Sequence, residues 1–164
     1  MIVNADLHIH SRFSAATSEK MNIRTISIEA PRKGIQIVAT GDCLHSGWME
    51  EIKSCNTIDE GTYELNGTHF ILSTELEDQR RVHHLIYFPS ISAVEDFKDR
   101  IKHKSKNIDK DGRPNIALYG EEIASIAKDV DALIGPAHAF TPWTAMYAYF
   151  HSLNQCYGDL SDYI

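Results

Sequence analysis

Near the amino terminus the chain reads Ala5-Asp6-Leu7-His8-Ile9-His10-Ser11, with polar residues at 6, 8 and 10 and apolar ones at 7 and 9. On a strand this alternation places Asp6, His8 and His10 on one face, with Leu7 and Ile9 turned to a hydrophobic layer. Two imidazoles one pleat apart then share one space, a spacing suited to holding a metal ion. Further nitrogen and carboxylate donors follow: Asp42 after Thr40-Gly41, then His45, Glu75 with Glu77 and Asp78, the pair His83-His84, and His138 after Gly135-Pro136-Ala137. A donor set without cysteine suits Zn²⁺, Mn²⁺ or Fe²⁺, with Mg²⁺ a further option, and so many donors together suggest more than one ion. Glu75 is placed to bridge two of them. His83 and His84 lie on opposite faces of any strand, so at most one enters the site. His84 is favoured, because Val82, His84 and Ile86 share a face. Asp42 also reads as a cap or turn residue after Gly41, and His45 and Glu77 read as surface residues.

These groups fall where predicted strands end. Short apolar segments bounded by turns occur over 2–8, 36–40, 70–75, 83–88 and 132–136, alternating with helix-like stretches over 23–33, 48–55, 93–104, 121–128 and 142–153. The alternation predicts five βα units and a mostly parallel sheet. In parallel α/β architectures the carboxyl ends of the strands line one rim, so donors far apart in sequence converge there. Asn66-Gly67 is a hairpin turn signal that adds a short antiparallel strand over 63–65. Gly34 closes the first helix, which Pro31 should stop or kink. Thr141 and Pro142 read as the N-cap and first residue of the last helix, and the segment 105–115, with Asp111-Gly112-Arg113-Pro114, as an irregular, mobile loop.

With 164 residues and 43% apolar content, the chain supports one domain over 1–164 with a core that needs no disulfides. Cys43, Cys55 and Cys156 form neither an even set nor a CxxC pair, which points to a reducing, cytoplasmic setting. The start lacks the pattern of a signal peptide, and no apolar run is long enough to span a membrane, so no membrane partner is expected. Sixteen basic against twenty-three acidic residues give a formal charge of −7, which excludes broad, non-specific adhesion to nucleic acid. The basic residues of 98–113 alternate with Asp99, Asp109 and Asp111 and read as a solvated helix face followed by a loop.

The ordered set Asp6-Leu7-His8-Ile9-His10-Ser11, Ala39-Thr40-Gly41-Asp42, Ser73-Thr74-Glu75-Leu76-Glu77, His83-His84-Leu85-Ile86 and Pro136-Ala137-His138 resembles the polymerase and histidinol phosphatase (PHP) family. More narrowly, Arg12-Phe13-Ser14, Arg81-Val82-His83-His84-Leu85 and Ala137-His138-Ala139-Phe140-Thr141-Pro142-Trp143 resemble the endonuclease Q-like branch, which nicks DNA beside deaminated or abasic nucleotides. The resemblance implies an irregular (β/α)7 TIM-like barrel, here cut to about five βα units. It implies two or three divalent ions held by His8, His10, Asp42, Glu75, His84 and His138, of which Glu75, Asp42 and His138 would serve catalysis. Cys43 and Ser14 stand where many members of the family carry histidine.

The family's closing Asp-x-His motif has no match after His138. The chain is therefore expected to be the amino-terminal part of a longer enzyme, with an exposed parallel edge that offers a route to oligomerisation. The activity implied is phosphoester hydrolysis by metal-activated hydroxide attack on phosphorus, with ions roughly 3.5–4 Å apart and no covalent nucleophile from the protein. Damaged DNA is the expected substrate. The competing readings are a small-molecule phosphatase resembling histidinol phosphatase and an inactive metal-binding remnant. An amidohydrolase ranks below them, because nothing matches the carboxylated lysine of that superfamily.

Overall fold

A computed structural model of the chain describes residues 2–164. In chain order the elements are β1 (Ala5–Asp6), α1 (Ile23–Arg32), β2 (Ile37–Asp42), α2 (Ser46–Lys53), β3 (Asn56–Asp59), β4 (Thr62–Leu65), β5 (Thr68–Glu77), β6 (His83–Tyr87), α3 (Ile91–Ile101), α4 (Gly120–Asp129), β7 (Leu133–Pro136) and α5 (Leu153–Tyr157). Together they make a mixed α/β fold with a single seven-stranded sheet.

The sheet is organised around β5. Ten residues extend for about 33 Å, enough for two short strands to share one edge. β2 pairs with β5 in parallel along the other edge. On the shared edge, β4 pairs antiparallel with the first part of β5, Leu65 opposite Thr68 and Thr62 opposite Ile71. β6 takes the second part, Tyr87 opposite Ser73 and His83 opposite Glu77. β7 adds antiparallel to β6, β1 parallel to β2 and β3 antiparallel to β4. Asn66-Gly67 makes the expected hairpin, with φ of 52° and 83°, the pair of positive values that a tight hairpin turn needs.

The sheet is thus not mostly parallel, as the βα pattern predicted. Only the β1–β2 and β2–β5 pairings are parallel, and the other four are antiparallel. The reason for β6 lies in its connection: residues 78–82 between β5 and β6 are too few for a crossover, so the chain must double back. β3 was not anticipated, and β1 is far shorter than 2–8. Leu7 is correspondingly exposed, whereas Ile9 packs against the core.

The first four predicted helices form, with shifted ends. Asn22 caps α1 by accepting from the Thr25 N–H, and Ser90 caps α3 by accepting from Ala93. α1 ends at Arg32, one residue past Pro31. No helix spans 142–153. Trp143 has a φ of 71° and Ala145 is extended, and the Thr141 hydroxyl donates back to the His138 carbonyl (3.1 Å) instead of capping a helix. Only a 3-10 turn at Met146–Ala148 and the short α5 follow. The segment 105–115 is irregular, but its backbone is tied: Gly112 N donates to Phe13 O, and Glu77 N to Pro114 O.

A single core joins Phe70, Leu72 and Leu76 of β5 to Trp48 and Ile52 of α2, Phe97 and Ile101 of α3, and Ile123 of α4. The Trp48 indole N–H donates to Thr40 O at 2.8 Å, so a bulky side chain is buried with its donor satisfied. No described helix is long and apolar enough to cross a membrane. Because Phe70 is fully buried on the central strand, Phe70→Ala is expected to destabilise the fold by about 3–5 kcal/mol, read as a lower denaturant midpoint at unchanged slope.

Candidate metal centre

Alternation along β5 puts Leu72, Thr74 and Leu76 on one face and Ser73, Glu75 and Glu77 on the other. Glu75 is fully buried, and four imidazoles surround its carboxylate. His8 Nε2 lies 3.5 Å from Oε1 and His10 Nε2 2.9 Å from Oε2. His83 Nδ1 and His138 Nε2 lie 3.1 and 3.0 Å from Oε1. Among the described residues two groups of three donors come within reach of a shared ion, His8-His10-Glu75 and Glu75-His83-His138, and Glu75 belongs to both.

Each element delivers its histidine by a different local device. His8 and His10 follow β1. His83 opens β6 directly opposite Glu77, so the antiparallel register sets it on the Glu75 face, while His84 stands opposite Leu76 on the other face. His138 lies just past β7 with a φ of 31°, an unusual conformation for a side-chain-bearing residue.

Behind three of these rings sits a group that fixes the other ring nitrogen. His10 Nδ1 is 2.9 Å from Asp42 Oδ1, and Asp42 Oδ2 accepts from the Ser11 backbone N–H, the Ser11 hydroxyl and the Ser14 hydroxyl at 2.6, 2.7 and 2.9 Å. His83 Nε2 is 3.1 Å from Glu77 Oε2, and Glu77 Oε1 accepts from the Asn115 amide at 2.6 Å. The Thr141 hydroxyl oxygen is 2.9 Å from His138 Nδ1. With the protons of His83 and His138 committed outward, His83 Nδ1, His138 Nε2 and a carboxylate oxygen face one another as three acceptors, the two nitrogens 3.2 Å apart. Three acceptors in such contact need a proton or a cation between them. Two donors each about 2.1 Å from a tetrahedral ion lie about 3.4 Å apart, so the donor set fits a divalent metal, and outward bonds of this kind orient metal-binding histidines.

The electrostatics agree. Burial pulls the Glu75 carboxyl up, but hydrogen bonds from His10, His8 and His83, when these rings carry inward-facing protons that an ion would displace, outweigh it and hold its pKa well below the usual carboxylate range. Burial would lower the His10 pKa, yet its bonds to Asp42 and Glu75 raise it to about 9. A proton and a metal compete for that ring's inward lone pair. Arg113 completes the surroundings, its guanidinium 3.5 Å from Glu75 Oε2.

Of the residues singled out in the sequence, the fold brings His8, His10, Glu75 and His138 together. It sets Asp42 behind His10, with both oxygens engaged by the protein. His84 lies elsewhere: fully buried, with Nδ1 2.8 Å from the Tyr157 hydroxyl and Nε2 3.2 Å from Asp78 Oδ2. The expected orientation of the pair is therefore reversed, because the apolar face that His84 shares with Val82 and Ile86 packs into the core and the site lies on the opposite face. His45 stacks on Phe13 with ring centroids 4.3 Å apart. Glu77, Thr141 and Arg113 were not picked out for the site. The five-residue link before His83 was the available signal for its orientation, since it implies the hairpin register.

No protein-family model matches the chain. The chain is similar to an uncharacterized protein of Methanocaldococcus jannaschii, 47% identical over 146 residues that cover 89% of this chain and 17% of that protein. It is 24% identical over 164 residues to the uncharacterized protein YqxK of Bacillus subtilis, covering 88% of this chain and 42% of YqxK. In structure it matches the lesion-specific endonuclease PfuEndoQ from Pyrococcus furiosus, with a TM-score of 0.95 and 51% identity over 97% of this chain and 40% of that one. The same values hold for Endonuclease Q in complex with a 27-mer duplex substrate that has an abasic lesion at the active site. The chain thus spans less than half the length of each of these proteins.

The two neighbouring histidines are expected to separate in one experiment. His83→Ala should lower the metal retained per chain, measured by elemental analysis. His84→Ala should leave metal content intact and instead destabilise the fold by about 1–3 kcal/mol, because Asp78 and Tyr157 lose a buried partner.

Proposed function

We propose that this chain is the metal-binding portion of a PHP-type, metal-dependent endonuclease that hydrolyses DNA beside abasic or deaminated nucleotides. The observation that carries the reading is the single buried carboxylate of Glu75 shared by two imidazole groups. Damaged DNA as the substrate is supported by the likeness to an endonuclease whose complex holds an abasic lesion at its active site. In this reading His8, His10 and Glu75 would hold one cation and Glu75, His83 and His138 a second, with Zn²⁺, Mn²⁺, Fe²⁺ and Mg²⁺ as candidates. Bound there, divalent cations supply charge neutralisation for a phosphodiester and a water of lowered pKa.

The chain's own part is preorganisation. Asp42, Glu77 and Thr141 keep the inward nitrogens of His10, His83 and His138 aimed at the centre, and the His83 ring is itself buried. His8, His10 and His138 are partly open, with side chains 22–30% exposed, so a substrate approaches from their side. The sheet supports a barrel of which this chain forms part. β1 pairs only with β2 and β7 only with β6 among the described residues, and strands from the rest of a longer protein would close the gap between them. A cytoplasmic setting belongs to the same proposal.

The full-length protein supplied with Mn²⁺ is expected to nick an oligonucleotide duplex containing an abasic site or deoxyuridine. A chelator should abolish the nick, and Glu75→Gln should slow it at least about 100-fold, as for loss of a central electrostatic group. Intact lesion-bearing DNA with Mn²⁺, Mg²⁺ and Zn²⁺ alike would overturn the reading. Turnover of phosphomonoesters by the same preparation would then favour a small-molecule phosphatase.

A further inference from the structure

Resting on that reading of the site, we infer that Arg113 is the residue that takes hold of a substrate phosphate oxygen. Among the described residues it is the only lysine or arginine paired with a carboxylate of the centre, its guanidinium 3.5 Å from Glu75 Oε2. A cation that binds Glu75 and His10 competes with the guanidinium for that same oxygen. Two positive groups on one carboxylate oxygen repel each other, so loading the centre turns the arginine toward the nearest anion. In a phosphoesterase that anion is the phosphate.

The backbone around Arg113 is held while its side chain remains free to make this exchange. Asp111 Oδ1 accepts from the Arg113 N–H at 3.1 Å and from the Ala15 N–H at 3.3 Å, which ties the loop to the segment after His10. Gly112 N donates to Phe13 O at 3.0 Å and Glu77 N to Pro114 O at 3.0 Å, so the residues on either side of Arg113 are fixed. Gly112 allows this approach: a Cβ there would sit 2.5 Å from the Asp42 carboxyl carbon, the group that orients His10. The Arg113 side chain is 35% exposed, whereas Glu75 is fully buried. The guanidinium therefore reaches from solvent to the buried carboxylate, within range of an entering phosphate. Its planar fork can give two N–H bonds to a phosphate, which a lysine ammonium cannot match.

The test uses the full-length protein loaded with Mn²⁺ and titrated calorimetrically with inorganic phosphate. Arg113→Ala is expected to weaken phosphate binding roughly ten- to hundredfold, the range of a hydrogen bond between charged groups. Metal content per chain should stay unchanged, and Arg113→Lys should recover part of the loss. Unchanged phosphate affinity in Arg113→Ala overturns the inference, and so does weakened affinity accompanied by loss of metal, which would make the arginine a support of the centre. A parallel assay on lesion-bearing DNA separates the two readings. Phosphate binding that depends on Arg113, in a protein that leaves such DNA intact, supports the arginine's role and counts against DNA as the substrate. Cleavage that falls together with phosphate affinity supports both.

Discussion

The carboxylate of Glu75 is the charge that the rest of the structure has to accommodate. It is fully buried in the middle of the sheet, and an ionised carboxylate removed from water costs several kcal/mol unless it is paired. Four imidazoles and a guanidinium supply the pairing. They come from the segment after β1, from β6, from the turn after β7 and from the loop before α4. No two of these elements except β6 and β7 are direct neighbours in the sheet, so β5 must be central for all of them to reach one point.

Side chains that bond the outer nitrogens of these rings make that convergence specific. An imidazole offers two nitrogens, and which of them carries the proton depends on what the outer one meets. Here the outer partners are Asp42, Glu77 and Thr141. Asp42 is in turn held by Ser11 and Ser14, and Glu77 by Asn115. Ser14, at a position where the resembling family often has histidine, thus serves as a donor to a carboxylate. Away from the centre the same logic builds the buried set Asp78, His84 and Tyr157, in which Asp78 also accepts from the Arg80 and Val82 N–H groups and so shapes the turn into β6.

Much of this was legible because its causes are local. Asn66-Gly67 specifies its hairpin through the φ values those residues tolerate, and the amphipathic runs behind Asn22 and Ser90 specify α1 and α3 through capping and periodicity. The 142–153 segment misled because Thr141-Pro142 has the chemistry of a helix start, while in the fold Thr141 is engaged by His138. The parallel sheet misled for a similar reason: strand–helix alternation says nothing of the direction in which a strand inserts beside a partner already formed.

By itself the sequence determined which nitrogen and carboxylate donors the chain has and singled out His8, His10, Glu75 and His138 among them, since residue type and period are properties of the chain. Only the tertiary structure decided that His83 faces the centre in place of His84, that Asp42 and Glu77 stand behind histidines, and that Arg113 lies on Glu75. Each of these depends on register between strands or on a long-range approach of loops. A one-residue difference in register moves a side chain to the opposite face of a sheet, and that difference is settled by packing against the core.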